Sequence, residues 1–258
     1  MGAVTLLTDL STSDGYAGTM HGVILRINPA ATVVDISHDI PPQDVAAAAF
    51  VLSTVYPYFD PSTVHVVIVD PGVGSERRAL AVRTPRGIFV APDNGVLSYV
   101  FAREACHEIV HLTERRFWLS CLSDTFHGRD LFAPVAAHLS LGVPIGELGS
   151  TVNDPLTFEV PTALQRADGS VDGKVVYVDH FGNLITNVPR QLLPGAEIMV
   201  LVAGREVKGL RSAYAAAADG ELLALVGSHG YLEIAERNGS AAALLRLKRG
   251  ARIRVSSG

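Results

Sequence analysis

In the first 150 residues, short apolar runs rich in β-branched residues alternate with longer stretches of helical spacing. The predicted strands are residues 3–7, 31–35, 64–69, 80–84 and 87–90. The predicted helices are one that carries Met20, Val23, Ile24 and Ile27, one from Pro41 to about Thr54, one after Gly95, and one after Asp130 that runs to about Leu139. The run at 64–69 is the most apolar of these and is typical of a central strand buried on both faces. This alternation predicts an α/β, Rossmann-like domain with a mostly parallel central sheet flanked by helices.

The pattern changes in the last third of the chain, where short strands are separated by Gly and Pro. These predicted strands are residues 174–179, 183–188, 197–202, 222–226, 231–235 and 251–255. They are typical of a small, mainly β, barrel-like domain. Residues 151–169 lack periodicity. The sequence therefore predicts an N-terminal domain over 1–150, a linker over 151–169 and a C-terminal domain over 170–258.

Composition narrows the possible functions. The chain has 258 residues, 48% of them hydrophobic, and a net charge of −5. It can bury a core, and it lacks the basic surface that nucleic-acid binding requires. No stretch predicts a signal peptide or a membrane span, so we expect a cytoplasmic protein with no membrane partner. Cys106 and Cys121 are too few for a disulfide scaffold. The nine histidines form no HxxxH or HxH spacing, so no metal site is predicted.

Three polar clusters lie where strands of the first domain end. Asp9 follows the first strand and could accept hydrogen bonds from a ribose diol, or it could cap the next helix. The segment from Asp70 to Arg78 resembles a phosphate loop but lacks the Walker lysine, so its glycines could equally form a tight turn. His127 precedes a helix and could be structural or catalytic.

A fourth cluster lies between two predicted strands of the second domain, at residues 179–183. The ring of Phe181 could stack on a planar base, and the amide of Asn183 could bond to its edge. An ordinary turn is the alternative for this segment.

Taken together, seven motifs in order make the chain resemble a known family. They are Leu7-Thr8-Asp9 with Asp14-Gly15-Tyr16, His38-Asp39-Ile40-Pro41, Val69-Asp70-Pro71-Gly72-Val73-Gly74-Ser75, Ala91-Pro92-Asp93-Asn94-Gly95, Phe126-His127-Gly128-Arg129-Asp130, Asp179-His180-Phe181-Gly182-Asn183 and Gly230-Tyr231-Leu232. The chain is similar over its whole length to the S-adenosyl-L-methionine (SAM) hydroxide adenosyltransferases, or SAM hydrolases, which are related to the SAM-dependent fluorinase and chlorinase.

The resemblance implies that Asp70, Arg77 and His127 activate water. The halogenating relatives do not keep this trio, so its presence favours a hydrolase. The implied reaction is displacement of L-methionine from C5′ of SAM by water or hydroxide, which gives adenosine.

The resemblance also implies a set of substrate contacts. Asp9 would hold the ribose, Phe181 and Asn183 the adenine, and Asp179 and Ser228 the methionine. The chain departs from the family at His229, where the fluorinase has arginine, and at Leu10, where phenylalanine is common.

The resemblance further implies a homotrimer whose site lies between the first domain of one subunit and the second domain of its neighbour. No cofactor is expected, because SAM is the substrate and water the nucleophile. Two alternatives stay open, a SAM-dependent halogenase and a non-catalytic module that binds SAM or adenosine.

Overall fold

The computed structural model describes residues 2–258, and the chain divides into two compact units. The first ends at Val160 and the second spans Pro161–Gly258. No helix among the described residues is long and apolar enough to cross a membrane.

The first unit is built on a seven-stranded sheet. Its strands are β1 Val4–Thr8, β2 Val33–Ser37, β3 Val64–Ile68, β4 Ala79–Thr84, β5 Gly87–Pro92, β6 Glu108–Leu112 and β7 Gly149–Thr151. Its helices are α1 Tyr16–Ile27, α2 Val45–Val55, α3 Ser98–Arg103 and α4 Ala133–Ser140. Shorter helical turns lie at Tyr56–Tyr58, Arg115–Phe117, Gly128–Phe132 and Ile145–Leu148.

The prediction of a mostly parallel sheet is wrong. The strand order is β2-β1-β3-β5-β4-β6-β7, in which the first three pairings are parallel and the last three antiparallel. One antiparallel pairing comes from the hairpin at Pro85-Arg86, since a two-residue connection can join only antiparallel strands. The other two come from β6 and β7, which the sequence did not predict and which extend the sheet beyond β4.

The main core of the first unit lies on one face of this sheet. Met20 and Ile24 of α1 and Val135 of α4 pack there with Val66 of β3, and all four are fully buried. Helix α2 begins at Val45, later than predicted. Its N-cap is Asp44, whose side chain accepts a hydrogen bond from Ala47 N at 2.9 Å. The parallel strands β2, β1 and β3 end at the same edge of this sheet.

The second unit is a nearly closed, barrel-like sheet. Its strands are β8 Leu164–Gln165, β9 Val171–Val178, β10 Leu184–Pro189, β11 Ile198–Val202, β12 Arg205–Lys208, β13 Leu210–Arg211, β14 Leu222–Val226, β15 Tyr231–Glu236 and β16 Arg252–Ser257. The order is β12-β11-β16-β9-β10-β15-β14-β13, with β8 on β9. One helix, α5 Ala241–Leu245, and short turns at Arg190–Leu192 and Tyr214–Ala216 complete it. The six predicted strands are present, and three short ones were missed.

The segment predicted as a linker is largely held by hydrogen bonds. Before the division at Val160, Leu156 N donates to Asp93 Oδ1 at 2.7 Å and Phe158 N donates to Ser98 Oγ at 2.9 Å. After it, β8 pairs with β9. Extended segments without periodicity give no sequence signal when their partners are side chains distant in the chain.

Candidate active site

The loop after β3 places a carboxylate at the edge where the parallel strands end. β3 is buried throughout, and two residues beyond it Asp70 begins a turn in which its carbonyl accepts a hydrogen bond from Val73 N at 3.2 Å. Asn94 Nδ2 donates to the Val69 carbonyl at 2.9 Å and so anchors the start of this loop. Asn94 belongs to the motif at residues 91–95, but the sequence did not indicate that its side chain anchors the Asp70 loop.

Asp70, Arg77 and His127, which the resemblance groups together, are in direct contact. Arg77 Nε lies 3.0 and 2.9 Å from the two carboxylate oxygens of Asp70. Arg77 Nη2 lies 2.8 Å from His127 Nδ1. The Arg77 guanidinium also lies over the Phe132 ring, 5.3 Å from its centroid. The side chains of Asp70 and Arg77 are only 5% and 10% exposed, so this hydrogen-bonded chain is held in a largely dry environment.

A close approach of two loops makes the Arg77–His127 contact possible. Gly74 has φ +79°, and a Cβ there would lie 2.4 Å from the Asp124 carbonyl oxygen. Only glycine therefore lets the Asp70 loop pack against the loop that leads to His127. Buried Asp130 shapes that second loop by accepting from Ser123 N at 2.9 Å.

His127 stands directly before a single turn of π-helix, Gly128–Phe132. Such turns are rare in proteins overall, but those that occur are often found at functional sites. The turn carries Phe132, the ring beneath Arg77, into the core, so it fixes the position of the trio.

The hydrogen bonds fix the protonation pattern of His127. Arginine only donates, so Nδ1 of His127 must accept the bond from Arg77. In the neutral ring the proton is then on Nε2. Burial lowers the pKa of His127, and the positive charge of Arg77 lowers it further. A neutral ring with its proton on Nε2 is therefore the form that fits these contacts.

Asp9 lies on the neighbouring strand end. β1 and β3 are adjacent and parallel, with Thr8 opposite Ile68, so Asp9 and Asp70 both follow the carboxyl ends of paired strands. Asp9 Oδ2 accepts from Gln43 N at 2.8 Å. The alternative that Asp9 caps α1 is wrong, since Gly15 occupies that cap without a side-chain hydrogen bond.

In the second unit, residues 179–183 form a tight turn organised by Asp179. Its Oδ1 accepts from Phe181 N and Asn183 N, both at 2.9 Å, and its Oδ2 accepts from Asn183 Nδ2 at 2.9 Å. A carboxylate only accepts, so Asn183 must turn its amide nitrogen toward Asp179 and its oxygen away. Phe181 is 73% exposed. The turn thus presents an aromatic face outside the core.

Ser228 is exposed in the turn between β14 and β15. Beneath this turn lies Glu233, which is buried and accepts a hydrogen bond from the Tyr214 hydroxyl. Burial raises the pKa of Glu233, and the negative charge of Asp179 raises it further, against the lowering effect of Tyr214. The sequence did not indicate a role for Glu233, because a single glutamate in an otherwise apolar strand is expected to face solvent.

A cluster that no sequence spacing indicated lies at the end of β2. His21, Asp35 and His38 each offer one donor atom, and these atoms lie within 4.8 Å of one another. The two histidines are 17 positions apart and meet only because α1 packs beside β2.

Two surface grooves contain none of the predicted site residues. One, of about 710 Å³, lies on the second unit and carries Arg166, Lys174 and Arg254 around Asp172. The other, of about 490 Å³, lies on the first unit beside Trp118 and Arg129.

Comparison with known proteins gives consistent matches. The model of the SAM hydroxide adenosyltransferase N-terminal domain matches residues 4–149, and that of the C-terminal domain matches residues 173–254. An (R)-S-adenosyl-L-methionine hydrolase of Salinispora tropica is 39% identical over 99% of this chain and 98% of its own length.

Two further relatives extend the comparison. The solved structure of an uncharacterized conserved protein from Thermotoga maritima superposes with a TM-score of 0.92 at 38% identity, covering 98% of this chain and 99% of that one. A fluorinase of Actinopolyspora mzabensis is more distant, 27% identical over 98% of this chain and 96% of its own length. On these matches the chain belongs to the SAM hydroxide adenosyltransferase family.

Proposed function

We propose that the protein is an enzyme that hydrolyses SAM to adenosine and L-methionine. The observation that carries this proposal is the buried chain of hydrogen bonds from Asp70 through Arg77 to His127. The names of the relatives at 39% identity supply the substrate. In the reaction the oxygen of water bonds to C5′ as the C5′–S bond breaks, and the sulfonium sulfur takes the electron pair and leaves as neutral methionine.

The chemical difficulty lies in the nucleophile. The sulfonium needs no acid to leave, whereas bulk water has a pKa of about 15.7. A base positioned to take the proton as the C–O bond forms contributes about 10²–10⁴-fold. Attack must come from the face of C5′ opposite sulfur, so holding water there supplies much of the remaining acceleration.

Within the trio, Asp70 is the better candidate for that base. Nδ1 of His127 already accepts from Arg77, and Nε2 carries the proton in the neutral ring, so His127 has no lone pair to offer. It can instead donate from Nε2 to the water oxygen. Arg77 orients the Asp70 carboxylate through both oxygens and stabilises the developing hydroxide charge.

The substrate contacts belong to the same proposal. Asp9, anchored through Oδ2 by Gln43 N, would accept from the ribose hydroxyls. Phe181 would stack on adenine, and Asn183 would use its oxygen to accept from the adenine amino group. Asp179 and Ser228 would hold the methionine ammonium and carboxylate. No cofactor takes part.

The halogenase alternative is disfavoured on two grounds. A halide nucleophile has no proton for a base to remove, yet the first unit places the carboxylate of Asp70 in direct contact with Arg77. The fluorinases are also more distant relatives, at 27% identity against 39% for the hydrolases.

The decisive experiment incubates the pure protein with SAM and separates the products by chromatography. We expect adenosine and L-methionine in equal amounts, with or without added chloride or fluoride. A 5′-halo-adenosine formed with halide would support the halogenase instead. Bound but unchanged SAM would support the binding module.

We further propose a homotrimer in which each site combines the first unit of one subunit with the second unit of its neighbour. Mixing and reassembling an Asp70→Asn chain with a Phe181→Ala chain in equal amounts tests this, when activity is assayed at a SAM concentration far below the raised KM, where each variant alone turns over little SAM. Random reassembly should leave about a quarter of the sites with both intact parts. No recovery of activity above either single variant would contradict the shared site.

A further inference from the structure

We infer that His21, Asp35 and His38 form a binding site for a divalent transition-metal ion of the zinc type. The three side chains come from α1, β2 and the residue after β2. This combination of two imidazoles and one carboxylate is a donor set that Zn²⁺ prefers, with a fourth position left for water.

The ligand atoms already converge. His21 Nε2 lies 2.7 Å and His38 Nε2 lies 3.0 Å from the same oxygen, Asp35 Oδ1. Ligands at about 2.0–2.1 Å around a tetrahedral Zn²⁺ lie about 3.3 Å from each other. From 2.7 and 3.0 Å, these two separations therefore need to open by about 0.6 and 0.3 Å. Asp35 is 45% exposed and His21 is 28% exposed, so both can make this adjustment.

His38 supplies the observation that points to a ligand. Its side chain is only 2% exposed, yet its Nε2 has no hydrogen-bond partner. Its 3.0 Å approach to Asp35 Oδ1 is close enough for an ion pair with a protonated ring, but it does not form a hydrogen bond. A buried polar atom without a partner is costly, and an ion between the three side chains would satisfy it.

The other nitrogen of His38 is held as a metal-binding histidine requires. Nδ1 lies 2.8 Å from Thr8 Oγ1, which also accepts from Leu10 N at 3.1 Å. A hydrogen bond at the second nitrogen fixes the ring orientation of a ligating histidine. Thr8 immediately precedes Asp9, and Ser11 N donates to the His38 carbonyl at 2.8 Å, so a bound ion would stiffen the loop that carries Asp9.

The test is Zn²⁺ titration by calorimetry on the untagged full-length protein after EDTA treatment. The wild type should bind one ion per chain, and His21→Ala and Asp35→Asn should each bind at least about 10-fold more weakly. These two variants change partly exposed side chains, whereas substitution of buried His38 endangers folding. The matched control is His107→Ala, which removes an exposed histidine outside the cluster and should bind as the wild type does.

Two results would overturn the inference. The first is a wild type that takes up no Zn²⁺ at stoichiometric protein concentration. The second is equal binding by the wild type and His21→Ala, as capture by the exposed thiol of Cys121 would give.

Discussion

The candidate residues of the first unit and those of the second unit differ in how far the chain itself completes their geometry. Asp70, Arg77 and His127 hold one another through hydrogen bonds and are largely buried. In the second unit, Phe181 and Ser228 are instead exposed. Groups that perform chemistry gain from fixed positions before substrate arrives, whereas groups that bind it must remain accessible.

The largest effect is expected for Asp70→Asn, which keeps the shape of the side chain and removes the base. Turnover to adenosine should fall by about 10²–10⁴-fold, while the Kd for SAM changes little. Product chromatography and calorimetry measure the two quantities. The matched control is Glu76→Gln, an exposed carboxylate in the same loop, which should keep wild-type turnover. A large loss of affinity in Asp70→Asn would place this residue in binding instead.

Gly74→Ala tests whether the first-unit geometry depends on the close approach of two loops. The new Cβ would meet the Asp124 carbonyl, so overpacking should cost about 1–3 kcal/mol beyond the cost of the positive φ and should lower turnover by separating Arg77 from His127. Gly142→Ala is the control, because Gly142 has φ +93° with no atom within 4 Å of its Cβ position. Urea unfolding measures both, and equal stability of the two variants would refute the argument.

Phe181→Ala tests the second unit and should give the opposite kinetic signature. Loss of stacking on a base costs about 1–3 kcal/mol, so KM should rise roughly 5–150-fold while kcat at saturating SAM stays close to that of the wild type. Tyr58→Ala, which removes another highly exposed aromatic ring, serves as control. A fall in kcat with KM unchanged would mean that Phe181 acts on the transition state.

The smallest expected effect is a shift in the titration of His127. Burial and Arg77 lower its pKa, so the folded protein should keep the ring neutral at pH values where a free histidine, with a pKa of about 6.5, takes up a proton. The stability gained this way is complete above about pH 6.5 and is lost as the pH falls through the lowered value. NMR titration of the ring protons, assigned with His127→Gln, should give a midpoint below 6.5. A midpoint above 6.5 would contradict the arrangement with Arg77.

Sequence predicted what depends on local pattern or on family motifs. Six of the nine strands of the second unit followed from alternation and turn residues, and the family resemblance grouped Asp70, Arg77 and His127. Strands β6 and β7 were missed, because β6 is a short run that mixes apolar and polar residues and β7 consists of only three small or polar residues, and the antiparallel half of the sheet was missed with them. The sequence also gave no indication of contacts between side chains that are distant along the chain. His21 meets Asp35 only through helix packing, and Glu233 is buried only because a turn folds over it.

The hydrogen bonds of the segment before Val160 decide where this chain can be divided for separate study. Arg78, the neighbour of Arg77, donates to both Asp93 and Asp154, and Asp93 in turn holds Leu156 N. An expression boundary at residue 150, where the sequence pattern predicts the end of the first domain, would remove Asp154 from Arg78 and Leu156 N from the buried carboxylate of Asp93, which would then keep Arg78 but lose a hydrogen-bond donor. A first-unit fragment intended for ligand binding or crystallisation should therefore retain the chain through Val160.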